Sequence, residues 1–131
     1  MAIQVNPYLV SEDAKSQANF YAETIGGEIL SLSTYGEAPG TPEALKDKVM
    51  HLVLTLAGSN TLMMSDSFEP VTGSRISLAL NYDSESEAKT AFDKLSKGGE
   101  IKYPFELQPW GAFHYGEVFD KFGVLWRITK Q

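Results

Sequence analysis

Residues 20–29 read Phe-Tyr-Ala-Glu-Thr-Ile-Gly-Gly-Glu-Ile, and residues 92–101 read Phe-Asp-Lys-Leu-Ser-Lys-Gly-Gly-Glu-Ile. Phe, Gly-Gly-Glu and Ile recur at one constant offset. A recurrence of this kind marks two copies of one supersecondary unit. Two unrelated helix ends could share a terminal glycine, but here the flanking pattern repeats as well.

Each shared segment closes a helical pattern. In the first copy, Ser11 is the expected N-cap, and Ala14, Ala18, Tyr21 and Ile25 form the apolar stripe. In the second, Ser84 and Glu87 have capping-box spacing, and Ala88, Ala91, Phe92 and Leu95 follow. Both helices are expected to stop at Gly-Gly, where a positive φ costs little.

Strand patterns surround each helix. Ile3–Val10 precedes the first, and Glu28–Ser33, Lys48–Leu56 and Thr61–Asp66 follow it. Arg75–Tyr82 precedes the second, and Glu100–Phe105, Ala112–Val118 and Val124–Thr129 follow it. Each half therefore reads βαβββ. Residues 1–66 form module one, 67–74 a linker with Pro70 and Gly73, and 75–131 module two. Tyr35–Asp47 and Leu107–Gly111 read as loops, and Thr41-Pro42-Glu43 as the cap of one short helical turn. Asp120-Lys121-Phe122-Gly123 reads as a tight hairpin turn.

Alternation along each strand assigns its faces. Met50, Leu52, Leu54 and Leu56 point to the core, as do Ile76, Leu78 and Leu80, and Val124, Trp126 and Ile128. The opposite faces mix Asn6, Tyr8, His51, Met63, Ser65, Ser77, Leu125 and Arg127. Such a mixture suits an apolar pocket with a few polar anchors. It equally suits the solvated face of an antiparallel sheet.

Length and composition bound the rest. The 131 residues, 43% hydrophobic and 21% charged, fit one compact globular domain. The net charge of −6 and scattered basic residues disfavour a nucleic-acid partner. The absence of cysteine excludes disulfides, thiolate metal sites and a cysteine nucleophile, and fits a cytoplasmic protein. Met1–Asn6 lacks a basic patch followed by an apolar stretch, so no signal peptide is expected. No apolar run approaches the ~20 residues of a membrane span.

No serine sits in a Gly-x-Ser-x-Gly elbow. No glycine-rich loop has the spacing of a nucleotide-binding crossover. Asp66 ends a strand, where a turn-forming role and a general-base role both remain open. Arg127 is the most informative side chain, because a cation on an inward face needs a partner. That partner is either an internal carboxylate or an anionic ligand. Trp110, Phe113, His114 and Tyr115 cluster beside the second loop, as a wall over a ligand or as packing aromatics.

Taken in order, Asn6-Pro7-Tyr8-Leu9, Leu62-Met63-Met64-Ser65-Asp66, Trp110-Gly111 and Asp120-Lys121-Phe122-Gly123-Val124-Leu125-Trp126 resemble PhnB-like proteins. These lie within the glyoxalase/bleomycin-resistance, or vicinal oxygen chelate, superfamily. The resemblance spans nearly the whole chain. It implies an α+β fold of two tandem βαβββ modules, a curved cup-shaped mixed sheet with helices outside, and a homodimer. Metal-dependent members hold a divalent ion with His, Glu or Gln from four strands. The matching positions here are Asn6, Met63, Arg75 and Arg127, a poor donor set for such an ion. No metal and no cofactor is therefore expected.

The resulting expectation is a PhnB-like binder of a small anionic or polar organic molecule. Its ligand-binding residues would be Asn6, Tyr8, His51, Met63, Ser65, Arg75, Ser77, Trp110, His114 and Arg127. No nucleic-acid or membrane partner is expected. Two alternatives remain: a metal-dependent glyoxalase-type lyase, isomerase or dioxygenase, with a different site at His51 or His114, and an antibiotic-sequestering resistance protein.

Overall fold

A computed structural model describes residues 6–71, 76–109 and 113–130. The chain divides into two compact units, Met1–Val71 and Thr72–Gln131. In the first, β1 (Tyr8–Ser11) leads to α1 (Ala14–Tyr21), then β2 (Gly27–Thr34), β3 (Val49–Leu56) and β4 (Asn60–Asp66). In the second, β5 (Leu78–Tyr82) leads to α2 (Glu85–Ser96), then β6 (Glu100–Leu107), β7 (His114–Phe119) and β8 (Leu125–Lys130).

The sheet orders are β1-β4-β3-β2 and β5-β8-β7-β6. Each sheet holds one parallel pair, β1 with β4 or β5 with β8, and two antiparallel pairs. Each helix carries the chain from one edge strand of its sheet to the other, β1 to β2 or β5 to β6, so that the last strand of the unit inserts beside the first as its parallel partner. The βαβββ reading of each half is correct, and the protein is an α+β fold of two mixed four-stranded sheets.

The Gly-Gly pairs do two jobs, and only the first concerns φ. Gly26 and Gly98 take φ of +92° and +75°. Gly27 is extended, Gly99 has no left-handed φ, and both are required for space. A Cβ on Gly27 would lie 1.8 Å from the Thr55 carbonyl oxygen of β3, and one on Gly99 would lie 2.0 Å from that of Phe119 in β7. The duplicated dipeptide thus ends a helix and lets the next strand close on its neighbour. The first helix passes through one wider π-helical turn, Ala22–Gly26, before that point. Ile25 falls in this turn and is half-buried rather than part of the buried stripe.

The cores follow the alternation. Ala14, Ala18 and Tyr21 of α1 are buried, as are Leu52, Leu54, Leu62 and Met64 of the first sheet, and α1 packs on β3 and β4. Ala88, Ala91, Phe92 and Leu95 of α2 are buried with Val118, Trp126 and Ile128, and α2 packs on β7 and β8. Each large side chain removed from water in this way contributes about 1.5–3 kcal/mol. Small alanines on each helix allow close approach to the sheet.

Three expectations are corrected. Asp13, not Ser11, caps α1: its carboxylate accepts from Ser16 N, while Ser11 lies in β1 and accepts from Asp13 N. Met50 is exposed and Val49 buried, because a register shift between Ser33 and Thr34 exchanges the faces at that end of β3. Ile76 precedes β5 and is 74% exposed instead of joining Leu78 and Leu80.

The Asp120 turn is built as read, with Gly123 at φ +87°. Asp120 is buried. Its carboxylate accepts from Phe122 N, Val124 N and the Trp126 indole at 2.9, 3.0 and 2.9 Å. The Asp-Lys-Phe-Gly-Val-Leu-Trp stretch is accordingly a structural device that fixes the β7–β8 hairpin and anchors the core tryptophan. Ser84 caps α2, accepting from Glu87 N at 3.3 Å. Glu43–Leu45 forms the short helical turn after Pro42.

Gly27→Ala is expected to destabilise the fold by about 1–3 kcal/mol or more through overpacking. Gly26→Ala should cost only about 1 kcal/mol, as a left-handed residue with open space around it. Paired urea melts check the order; an equal or larger loss for Gly26→Ala would contradict the close-approach role of Gly27.

Candidate functional site

In the first unit, the face turned away from α1 carries four of the expected residues. Tyr8 pairs in register with Met63, and Val10 with Ser65. The Tyr8 and His51 rings lie 6.0 Å apart and tilted. Asn6 is half-buried just ahead of β1. Tyr8 is 48% exposed, so this is a half-open sheet face of mixed character.

Asp66 has a structural role. One carboxylate oxygen accepts from Ala14 N at the start of α1, and the other from Val49 N at the start of β3, each at 2.7 Å. Both oxygens are committed to backbone, which accounts for an acid at the end of β4 without a proton-transfer role. Asp66→Ala would leave both N–H groups without this acceptor. Each part-buried orphan costs about 1–3 kcal/mol, so a loss of about 2–4 kcal/mol is expected in chemical denaturation.

The second unit gathers a denser array on the face opposite α2. Arg127 on β8 stands across from Glu117 on β7 in the antiparallel register, and beside Ala79 on β5. Its Nε donates to Ser77 Oγ at 2.9 Å. Its Nη1 donates to Tyr115 Oη at 2.6 Å and to Glu117 Oε2 at 3.3 Å. Tyr115 in turn donates to the same Glu117 oxygen at 2.7 Å. Nη2 makes no hydrogen bond among the described residues. Asn81 and Thr129 continue the polar row through a short side-chain hydrogen bond.

Glu117 is the centre of this array. Its side chain is only 6% exposed, whereas that of Arg127 is 44% exposed. A buried carboxylate is tolerable only with charged or hydrogen-bonding partners. Arg127 and Tyr115 serve Oε2. On the other side Lys102 Nζ stands 3.7 Å from Oε1, outside hydrogen-bond range. Oε1 is buried without a hydrogen-bond donor among the described residues. An acceptor left in this way costs about 1–3 kcal/mol, more when charged.

Beside the array lies a hollow of about 510 Å³ lined by Tyr103, Pro104, Glu106, Gln108, Phe113, Tyr115 and Glu117. It opens where β6 loses regular pairing with β7, with shifts on either side of Tyr103. Gln108 closes one end, its amide N–H donating to the Glu106 carbonyl and its backbone N–H to that of Phe113, both at 3.0 Å. The lining is chiefly apolar with polar groups at its floor and rim, the composition of a small-molecule site.

His114 belongs elsewhere. It shares its strand face with Gly116, where an added Cβ would strike Phe92 of α2 and Phe105. Its Nε2 is 2.5 Å from Glu85 at the start of α2, and its ring stacks on Phe105 at 5.6 Å. The structure thus brings together Ser77 and Arg127, and separately Tyr8, His51 and Met63, and sends His114 to the helix side. Arg75 and Trp110 lie outside the described residues. Sequence reasoning missed Glu117 and Lys102 and left Tyr115 open between a ligand wall and a packing aromatic. The available signal was an acid in the middle of a strand whose hairpin partner carries Arg127.

The superfamily's metal positions are a poor fit here. Arg127 is a cation bound to a carboxylate, and Met63 offers only a thioether. Among the described residues no three His, Asp or Glu side chains group around a common point.

Paired βαβββ units of this topology define the glyoxalase/bleomycin-resistance superfamily. The fosfomycin resistance protein FosX of Listeria monocytogenes shares the fold, with a TM-score of 0.69, 13% identity, and coverage of 97% of this chain and 91% of that one. Within the superfamily, residues 4–129 match the family model described as 3-demethylubiquinone-9 3-methyltransferase, and the chain belongs to this PhnB-like family. Protein YjdN of Escherichia coli K12 is 31% identical over 95% of this chain and 93% of its own length. A structure from Bacillus cereus, described as a putative 3-demethylubiquinone-9 3-methyltransferase, PhnB protein, superposes with a TM-score of 0.83. It has 28% identity and covers 98% of this chain and all of that one (100%).

Burial, and next the hydrogen bond to Glu117, raise the Tyr115 hydroxyl above its ordinary pKa of 10.0. Burial raises Tyr82 in the same direction, followed by the charge of Glu87. A pKa raised on folding gives stability that is complete below the unfolded value and is lost as pH rises through the folded one. Urea midpoints are therefore expected to fall as pH rises above about 10. Tyr115→Phe should flatten part of that fall, and an unchanged slope would count against the Tyr115–Glu117 bond.

Proposed function

We propose that this protein binds a small anionic or polar organic molecule in the β6–β7 hollow of its second unit, with Arg127 as the anchor. The supporting observation is the state of that guanidinium. Ser77, Tyr115 and Glu117 fix its plane, while Nη2 has no acceptor among the described residues and so has N–H groups to offer a ligand. A prearranged cation loses little freedom on binding, which favours affinity. The Tyr115 hydrogen bond first, then the charges of Tyr115 and Glu117, hold Arg127 still more firmly protonated than usual. The apolar walls of Tyr103, Pro104 and Phe113 suit a hydrocarbon body.

This reading needs neither a metal nor methyl transfer. The methyltransferase named in the family description finds no support in the side chains around Arg127, which are groups that recognise a ligand. The protein is read as a homodimer working in the cytoplasm, following the family resemblance and the cysteine-free sequence.

Arg127→Ala would also strip Glu117 of its main cation, so Arg127→Lys is the cleaner variant. It keeps the charge and loses the planar fork. Small organic carboxylates, phenylacetate among them, titrated by NMR should bind the parent chain and bind Arg127→Lys about tenfold more weakly, the scale of one charge-assisted hydrogen bond. Equal affinity in parent and variant would refute the anchor.

A further inference from the structure

The charges around the hollow narrow the class of ligand. Among the described residues, the charged side chains that line it are two acids, Glu106 and Glu117. The nearby bases, Arg127 and Lys102, lie against Glu117 at 3.3 and 3.7 Å and outside that lining. Arg127 adjoins the hollow through its bonds to Tyr115 and Glu117. Two negative and two positive charges cancel, and the whole chain carries −6. Neither the local sum nor the long-range field draws in an anion. A cation gains nothing from the local sum either. An ion entering the hollow gives up its water, and a balanced set of charges returns little of that cost.

The donors of Arg127 lead to the same answer. A carboxylate gains most from a guanidinium when its two oxygens take parallel N–H groups from two nitrogens. Here Nε is given to Ser77, and Nη1 to Tyr115 and Glu117. Every pair of the three nitrogens therefore includes one already engaged. Nη2 alone has no acceptor among the described residues, and one nitrogen suits one acceptor oxygen. We infer that the ligand of this site is uncharged and offers Nη2 a single carbonyl oxygen, as an ester, amide or ketone does. This inference rests on the binding reading above and narrows it from anionic or polar molecules to neutral carbonyl compounds. A carbonyl oxygen accepts a charge-assisted hydrogen bond from the guanidinium, and brings no charge for Glu106 and Glu117 to repel. Tyr103, Pro104 and Phe113 cover its apolar body.

The test compares phenylacetate with two neutral analogues, phenylacetamide and methyl phenylacetate, by NMR titration at neutral pH. The amide adds N–H donors and the ester adds none, so a gain common to both belongs to the lost charge. Both should bind the parent chain more tightly than phenylacetate. Arg127→Lys should weaken both about fivefold, the scale of one hydrogen bond to a charged group. Glu117→Gln removes one acid's charge and keeps its size. Phenylacetate should then gain about tenfold relative to the neutral analogues, the effect of one unit charge several ångströms away at a partly buried site. A thermal melt checks that this variant is folded, and the parent chain and Arg127→Lys decide the matter without it. If phenylacetate binds as tightly as the neutral analogues or more so, the inference is wrong while the binding reading survives. A gain shown by the amide alone comes from its N–H groups and also overturns the inference. So does neutral binding that is indifferent to Arg127→Lys, or an order unchanged in a folded Glu117→Gln. If none of the three binds, both readings fall together.

Discussion

The contact on which both halves depend is that of a glycine α-carbon against a neighbouring carbonyl. Gly27 faces Thr55 and Gly99 faces Phe119, at separations that leave no room for any side chain. Each lies where the chain leaves its helix and enters the strand that completes the sheet. Were β2 or β6 held further out, its first pairings, Gly27 with Leu56 and Glu100 with Phe119, would be strained or lost. The preceding glycine supplies the backward turn, so one dipeptide provides both the reversal and the clearance. That is a physical reason for the same pair to stand at the same place in both units.

Much of this was legible in the sequence because it follows from periodicity. Ala88, Ala91, Phe92 and Leu95 recur at helical spacing and are all buried, and Val124, Trp126 and Ile128 alternate toward the core side with the last two fully covered. Periodicity fails where the backbone departs from it. The register shift near Thr34 exchanges Val49 and Met50, which no alternation rule anticipates. Ser11 and Asp13 are both good caps, and only the length of β1 decides between them. The candidate site was less legible, because it depends on which strand lies beside which. Arg127 signalled a need for a partner, but naming Glu117 required the β7–β8 register. His114 shows the opposite failure, a polar residue near a loop whose direction is set by strand phase.

The Arg127 array illustrates how a charged group can be both structural and available. Glu117 needs a cation in order to be buried, and Arg127 provides it with one nitrogen while another hydrogen-bonds Ser77. The planar guanidinium has donors to spare, so satisfying the protein does not exhaust it. A lysine there could neutralise Glu117 but could not hold Ser77, Tyr115 and Glu117 in one fixed plane. By contrast Asp66 and Asp120 spend their oxygens on backbone and indole donors. These acids belong to the scaffold.

The broken pairing of β6 reaches beyond the hollow it opens. The strand lies at the end of its sheet, almost wholly exposed, with no strand paired to its outer edge among the described residues. A straight apolar strand so placed would recruit strands from other molecules and seed aggregates. Lys102, Pro104 and Glu106, together with the two breaks in register, make β6 a poor template. Proline removes a donor, the charges oppose burial and the bends spoil alignment. The same irregularity that opens the hollow therefore also blunts the edge of the sheet. Straightening β6 to improve the sheet would trade the hollow for a sticky edge.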